Sequence, residues 1–475
     1  MYFQSIVKRF SKTALLMMLS CWMGCMFIGS NFASAEQRDF RRGKDLASRR
    51  GLDNKLRRLL RKNNVEAIAT PIQKSEQVLL GQKLFFDRIL SGNYDTACAT
   101  CHHPLTATSD GVSLGVGTGT PTVGEVGVLR SRGEGRSFVP RNSPDIFNRG
   151  SELWHNIYWD ARIEISGGVI SSPAGTQLPS ELITPLQIQA MFPVTSRVEM
   201  RGSRDDVNQG NELAAIEDTN FTGIWSALMD RLMGIEEYRK LFSEAFPSVP
   251  TSSLGFQHAA IAIAAFEAEA FGIADSPFDR YLAGDRTALD DDEKRGAILF
   301  YGRANCSSCH SGSLMTDQKL HNLAVIQLGP GKNASGLDFG RGEVTGDTRD
   351  QYKYRTPPLR NVTQTGPWMH NGAFSNLTDA ILHHLIPKDS LEDYDPDAQI
   401  FQPEVRDLVW QERDLREILY DGFSEYDSDL KDEEIPLLLK FLNSLTSDNL
   451  HARLQAVIPS SVPSGLLEDG VAVSR

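Results

Sequence analysis

Apolar positions recur at helical spacing in two pairs of stretches. "SEQVLLGQKLFF", beginning at Ser75, and "DDEKRGAILFY", following Asp290, each run into the same pattern, Gly-x-x-Leu-Phe-aromatic, at 81–86 and 296–301. "GFQHAAIAIAAFEAEAF" at 255–271 and "DEEIPLLLKFLNSLT" at 432–446 make the second pair. Each stretch predicts a helix, and the pairing predicts two copies of one plan. Residues 103–150 are rich in Gly, Thr, Ser and Pro and keep no period, so they read as loop rather than as core helix.

Shortly after the first helix of each copy comes a run that carries chemistry. "CATCH" occupies 98–102 and "CSSCH" occupies 306–310, and together they hold four of the six cysteines. A Cys-x-x-Cys alone serves a redox dithiol or half a zinc site, but the immediately following His points to covalent c-type haem. The thiols add to the porphyrin vinyl groups and the imidazole becomes the proximal iron ligand. Zinc would need a second Cys pair or a close His pair, and neither run has one nearby. The expected attachment residues are therefore Cys98, Cys101 and His102, then Cys306, Cys309 and His310. Helix, attachment run, irregular wrap and closing helix is the cytochrome c plan. The expected fold is mainly α: two cytochrome c-like haem domains with long irregular loops.

The N-terminus carries Lys8, Arg9 and Lys12, an apolar stretch containing Cys21 and Cys25, and Ala33-Ser34-Ala35. That order reads as a cleaved secretory signal over 1–35, hence as export to the periplasm, where c-type haem is attached. Residues 36–64 hold eleven Lys or Arg against four acids, in a chain whose net charge is −12. The overall acidity argues against a nucleic-acid partner. The expected divisions are the signal (1–35), a basic extension (36–70), the two haem domains (71–285 and 286–450) and a tail (451–475).

An electron carrier gives each iron two strong protein ligands, whereas an enzyme that activates peroxide leaves one position open. Between His103 and Gln189 the only histidine is His155 and methionine is absent, and His103 is too close to His102 to reach the opposite face. The first haem is therefore expected to be open.

Several segments resemble the bacterial dihaem cytochrome c peroxidase and MauG superfamily over nearly all of 75–446. They are "LGQKLFFDRILSGNYDTACATCHHP", "PRNSPDIFN", "IYWDAR" and "RTPPLRNVTQTGPWMHNGAF". The resemblance implies that His102 serves a peroxidatic haem and His310 an electron-transfer haem, and that Trp159 relays electrons between them. "QAMFPVTSRVEM" is similar to the family's distal segment and so implies Gln189, Pro193 and Glu199 beside the open iron, with Glu199 as the base in peroxide cleavage. About twenty extra residues separate it from Trp159. A carboxylate in a partly dry pocket is expected to have a raised pKa. The resemblance further implies one calcium ion held by Asn142, Thr365 and Pro367. Where relatives place Met or Tyr on the second iron, the matching position here is His384, with His383 and Met369 as rivals. Ala161 stands where the family has Gly, and Asn371 where it usually has Asp.

The expected cofactors are two covalent haem c groups and one calcium. The expected activity is reduction of hydrogen peroxide with electrons from a small cytochrome c or copper protein. The alternatives are a MauG-like oxidase acting on a protein substrate and a plain electron carrier. Homodimers are common in the family.

Overall fold

The computed structural model describes residues 50–466 except 70, 334, 425 and 427, together with residue 469. The expected signal segment and Cys21 and Cys25 lie outside the described residues.

In each half the repeat builds the same helix crossing. The Ser75–Phe86 helix packs on the Phe256–Ala270 helix, and a Cβ on Gly81 would stand 1.9 Å from the Ala262 carbonyl oxygen. The Asp291–Phe300 helix packs on the Ile435–Asn443 helix, and a Cβ on Gly296 would stand 2.0 Å from the Leu437 carbonyl oxygen. The glycine of Gly-x-x-Leu-Phe-aromatic is thus the residue that lets two backbones touch. The aromatic pair beyond it fills the core: Phe85 lies 5.2 Å from Phe266, and Phe300 lies 5.2 Å from Phe441, centroid to centroid.

Two main cores result. One gathers Leu80, Leu84, Phe85, Phe147, Ile188, Trp225 and Phe266; the other gathers Phe278, Phe300, Tyr301, Phe441 and Leu442. Residues 52–62 are helical and seat Leu56 and Leu60 in the second core, leaving Lys55, Arg57, Arg58, Arg61 and Lys62 exposed.

Between the helices the chain is mostly turns and short 3-10 segments, as the loop composition of 103–150 leads one to expect. The extra residues before Gln189 differ: with Asn156–Ile157 they build an antiparallel three-stranded sheet, whose other strands are Ile163–Ser166 and Val169–Ser171. Ile165 pairs with Ile170 across a Gly167-Gly168 turn, both glycines having positive φ, which suits a tight hairpin. The expected tail also has structure. The Leu450–Ala456 helix that leads into it puts Leu450 and Leu454 into the first core, joined by Val462, because apolar residues fall at four-residue spacing there. Among the described residues no helix is long and apolar enough to cross a membrane.

Candidate functional site

Two cavities adjoin the attachment runs. The first, of about 160 Å³, is lined by Cys98, Cys101 and His102; the second, of about 520 Å³, by Cys306, Cys309 and His310. His102 caps the single-turn helix Cys98–Cys101, so thiols and imidazole come from one compact turn. Its Nδ1 lies 3.0 Å from the Thr108 carbonyl. His310 Nδ1 lies 3.2 Å from the Met315 carbonyl and 3.1 Å from that of Pro357. With Nδ1 held by a backbone carbonyl, the ring is fixed in the tautomer that offers Nε2 to a metal. Burial lowers the pKa of both imidazoles, His310 to about 4, so each is neutral and ready to ligate.

One wall of the first cavity comes from the segment before and after Phe192. Gln189 ends the Pro185–Gln189 helix, Pro193 opens a 3-10 turn, and Glu199 sits in the π-turn Arg197–Arg201; all three line the cavity. Glu199 is half-buried, and its carbonyl accepts the Thr118 N–H at 2.9 Å. Gly117 permits that approach, since a Cβ there would stand 1.9 Å from the Val198 carbonyl oxygen. Among the described residues the cavity is lined by no histidine other than His102. His155 joins the sheet region instead, its N–H bonded to Gln318 Oε1 at 3.0 Å. Met200 also borders the cavity, as part of the first core.

In the second cavity His384 joins His310, its own Nδ1 lying 2.7 Å from the Ala380 carbonyl. His383, one residue earlier on the Leu377–Leu385 helix, does not line the cavity. Both of its ring nitrogens are engaged, at 2.8 Å from the Leu323 carbonyl and 3.0 Å from Ser390 Oγ. Met369 lines the cavity too, as does Tyr426, which donates its hydroxyl hydrogen to the His384 carbonyl. Cys309, Asp317 and His321 bring three donor atoms within 4.8 Å of one another. Thioether formation at Cys309 removes its thiolate, so this cluster belongs to the haem site.

Trp159, Asn142, Pro144, Asp145 and Arg355 line both cavities. Trp159 is held from both halves: its indole N–H reaches the Asn142 carbonyl at 3.0 Å, and its own carbonyl accepts the Arg355 N–H at 2.7 Å. Asn142 donates its amide N–H to the Val112 carbonyl at 2.8 Å, and its backbone N–H to the His370 carbonyl at 2.9 Å. Asn142 Nδ2 and Pro367 Cγ both lie 3.1 Å from where a Cβ on Gly372 would be. Thr365 and Pro367 line the second cavity beside them.

Sequence reasoning missed several residues of these walls. Glu267, on the Phe256–Ala270 helix, is 6% exposed and lines the first cavity, and burial pushes its carboxyl up to about 8. The available signal was its register four residues after buried Ile263, where Glu269 falls on the exposed side. Tyr158, whose phenol burial holds up at about 12, accepts from Gln189 Nε2 at 3.5 Å and lies under the Arg162 guanidinium at 3.6 Å. Arg149 and Arg355 flank the Trp154 ring at 4.3 and 5.1 Å. Arg149 Nη1 is buried without a partner at the first cavity. An unpaired guanidinium nitrogen beside paired thiols and a neutral imidazole is a donor set that fits a haem and its acidic side chains.

The helical plan and the two haem-type cavities define a dihaem protein of the c type. A sequence profile of the family described as "Di-haem cytochrome c peroxidase" matches residues 75–287. The chain is 31% identical over 314 residues to the methylamine utilization protein MauG of Methylorubrum extorquens, covering 66% of this chain and 69% of that protein. It is 32% identical over 311 residues to the cytochrome c551 peroxidase of Pseudomonas aeruginosa, covering 66% and 72%. Among solved structures, a MauG-like protein associated with microbial copper homeostasis shares the fold, with a TM-score of 0.55 at 24% identity over 82% of this chain and 95% of the other. The chain belongs to the di-haem cytochrome c peroxidase family. It is an oxidoreductase with two haem c groups as its cofactors.

Proposed function

We propose that the protein is an exported dihaem peroxidase that reduces hydrogen peroxide to water in the cavity of His102, with electrons delivered through the second haem and Trp159. One observation carries this reading. The first cavity gathers Gln189, Pro193 and Glu199 with no second histidine among the described residues, while the second cavity pairs His310 with His384. A cavity with one imidazole would leave a bound haem open to peroxide and a cavity with two would cap it, and that asymmetry is what separates an enzyme from a carrier. The haems, when bound, supply the redox chemistry. Glu199 takes the proton from one peroxide oxygen and returns it to the departing one. Gln189, steadied by Tyr158, orients the peroxide by hydrogen bonding, and the Pro193 side chain adds no donor atom to that wall.

Asn142, Thr365 and Pro367 form a calcium site joining the two cavities, where Asn142 Oδ1 is the side-chain acceptor. Metal analysis of dialysed protein tests this, with about one calcium per chain expected. The signal read over 1–35 supports a periplasmic location, and the internal repeat supports a division of the haem domains near residue 285. A small cytochrome or copper protein is the electron donor.

A MauG-like oxidase acting on a partner protein is the second reading, favoured by His384, which shares the second cavity with His310 where relatives have methionine. Supplying reduced donor cytochrome with peroxide separates the two. Rapid turnover belongs to the peroxidase, and slow turnover with a long-lived oxidised state belongs to the oxidase.

The reading is tested by electron paramagnetic resonance of the oxidised protein before and after one equivalent of peroxide. A high-spin signal beside a low-spin one, both lost on adding peroxide, is expected. Two low-spin signals indifferent to peroxide, even after one-electron reduction, would overturn it in favour of a carrier.

A further inference from the structure

The turn Gly329-Pro330-Gly331-Lys332 belongs to the second half of the chain, yet its lysine lines the first cavity. The turn is tightly built. Gly329 N–H bonds to the Leu408 carbonyl at 3.0 Å and Gly331 N–H to that of Gly336 at 2.6 Å. A Cβ on Gly331 would stand 1.9 Å from the Leu337 carbonyl oxygen. From this fixed backbone the Lys332 side chain, 26% exposed, reaches Asp160, with Nζ 3.6 Å from Oδ2.

Asp160 is already occupied. It takes Arg141 at 2.7 Å and Arg162 at 3.1 Å, and Arg141 also binds Asp338 at 2.6 Å. Three cations therefore share two carboxylates. Glu199 is the remaining acid that acts on Lys332 and Arg162, and the Tyr158 phenol lies between Arg162 and Gln189.

We infer that Lys332 is an anion-stabilising cation of the first cavity, so that the cavity favours small anions, the hydroperoxide anion included, over neutral ligands. The inference rests on the reading that this cavity admits an external ligand. Three acids, Asp160, Asp338 and Glu199, thus act on Arg141, Arg162 and Lys332. When Glu199 accepts a proton from peroxide, the O–H electron pair stays on oxygen and a hydroperoxide anion is left in the cavity that Lys332 lines. Arg141 is saturated by two carboxylates and Arg162 sits over the Tyr158 ring, so Lys332 is the cation able to answer the new charge. Burial, with Arg162 and Arg141 as neighbours, also holds Lys332 down at about 7, whereas Arg141 and Arg162 are held up; an arriving anion restores its charge.

Fluoride titration of the oxidised haem-loaded protein, followed by absorption, tests this in wild type, Lys332→Met and Lys332→Arg. Carbon monoxide binding to the reduced protein is the neutral-ligand control. The Met variant is expected to bind fluoride about tenfold more weakly or worse, the Arg variant close to wild type, and carbon monoxide equally in all three. Haem content and the low-spin signal of the second haem report folding. Unchanged fluoride affinity in the Met variant, with carbon monoxide binding intact, overturns the role of Lys332. Failure of wild type to bind either ligand overturns the open-cavity reading, and this inference with it.

Discussion

Trp159 donates its indole N–H to the Asn142 carbonyl at 3.0 Å, and the two residues line both cavities. Trp159 is 8% exposed, with its indole and its backbone carbonyl both hydrogen-bonded, so it is a fixed aromatic wall common to the two cavities rather than a mobile cover. Trp159→Phe keeps the packing and removes the indole. Donor-driven peroxide turnover is expected to fall by about tenfold or more, while fluoride binding at the first haem stays the same. Unchanged turnover would remove Trp159 from the electron path.

Glu199→Gln keeps the size of the side chain and removes the proposed base. Peroxide turnover is expected to drop by about 100-fold or more with haem content unchanged. Stopped-flow mixing with peroxide checks it, and a rate within twofold or so of wild type would assign the proton transfer elsewhere.

His384→Met replaces a neutral imidazole by a thioether in the second cavity. His/Met ligation raises haem potential, so a redox titration should show the second haem moving up by roughly a hundred millivolts or more, within the ~0.8 V range that axial ligands command. His383→Met is the control. Its ring serves Leu323 and Ser390, and the potential should hold even though stability falls.

Glu267 makes stability depend on pH. Its carboxyl is raised by burial from 4.5 to about 8, so the folded chain holds a proton that the unfolded chain has released. Its contribution is present in full below about pH 4.5 and is lost as pH rises towards 8. Glu267→Gln should flatten that decline, gaining on the order of 3 kcal/mol relative to wild type at about pH 9 and little at about pH 5. Denaturant melts at the two pH values read the difference; parallel curves would refute it.

Ala161 occupies the left-handed region with φ +51° and is 1% exposed. A side chain there is strained, which accounts for glycine at the matching position in the family that the sequence resembles. Ala161→Gly should stabilise the protein by about 1 kcal/mol, seen as a higher denaturation midpoint. A lower midpoint would mean that the Ala161 methyl contributes more packing than the strain costs.

Some of this was legible in the amino-acid order because the chemistry is local. Haem attachment needs two thiols and an imidazole within five consecutive residues, and each run folds as a single turn that brings them together. Gly81 and Gly296 announce the helix crossings for the same reason: a close approach demands a missing side chain at one fixed place before the aromatic pair. Gln189, Pro193 and Glu199 were found by family spacing, and they do share a cavity.

What local order could not specify is which distant segments meet. His383 and His384 are neighbours on one helix, and only the packing of Leu323 and Ser390 against the first turns the second to the cavity. Glu267 sits in a run that reads as plain apolar helix, and Lys332 in a turn more than a hundred residues from most of the pocket it enters. The repeat determined two haem folds by itself, through helical periodicity and covalent spacing. The asymmetry between them, with Trp159 shared, Lys332 lent by one half to the other and His384 kept for the second, was decided by tertiary packing. Cavity walls are assembled from side chains whose facing depends on every element around them rather than on their neighbours in the chain.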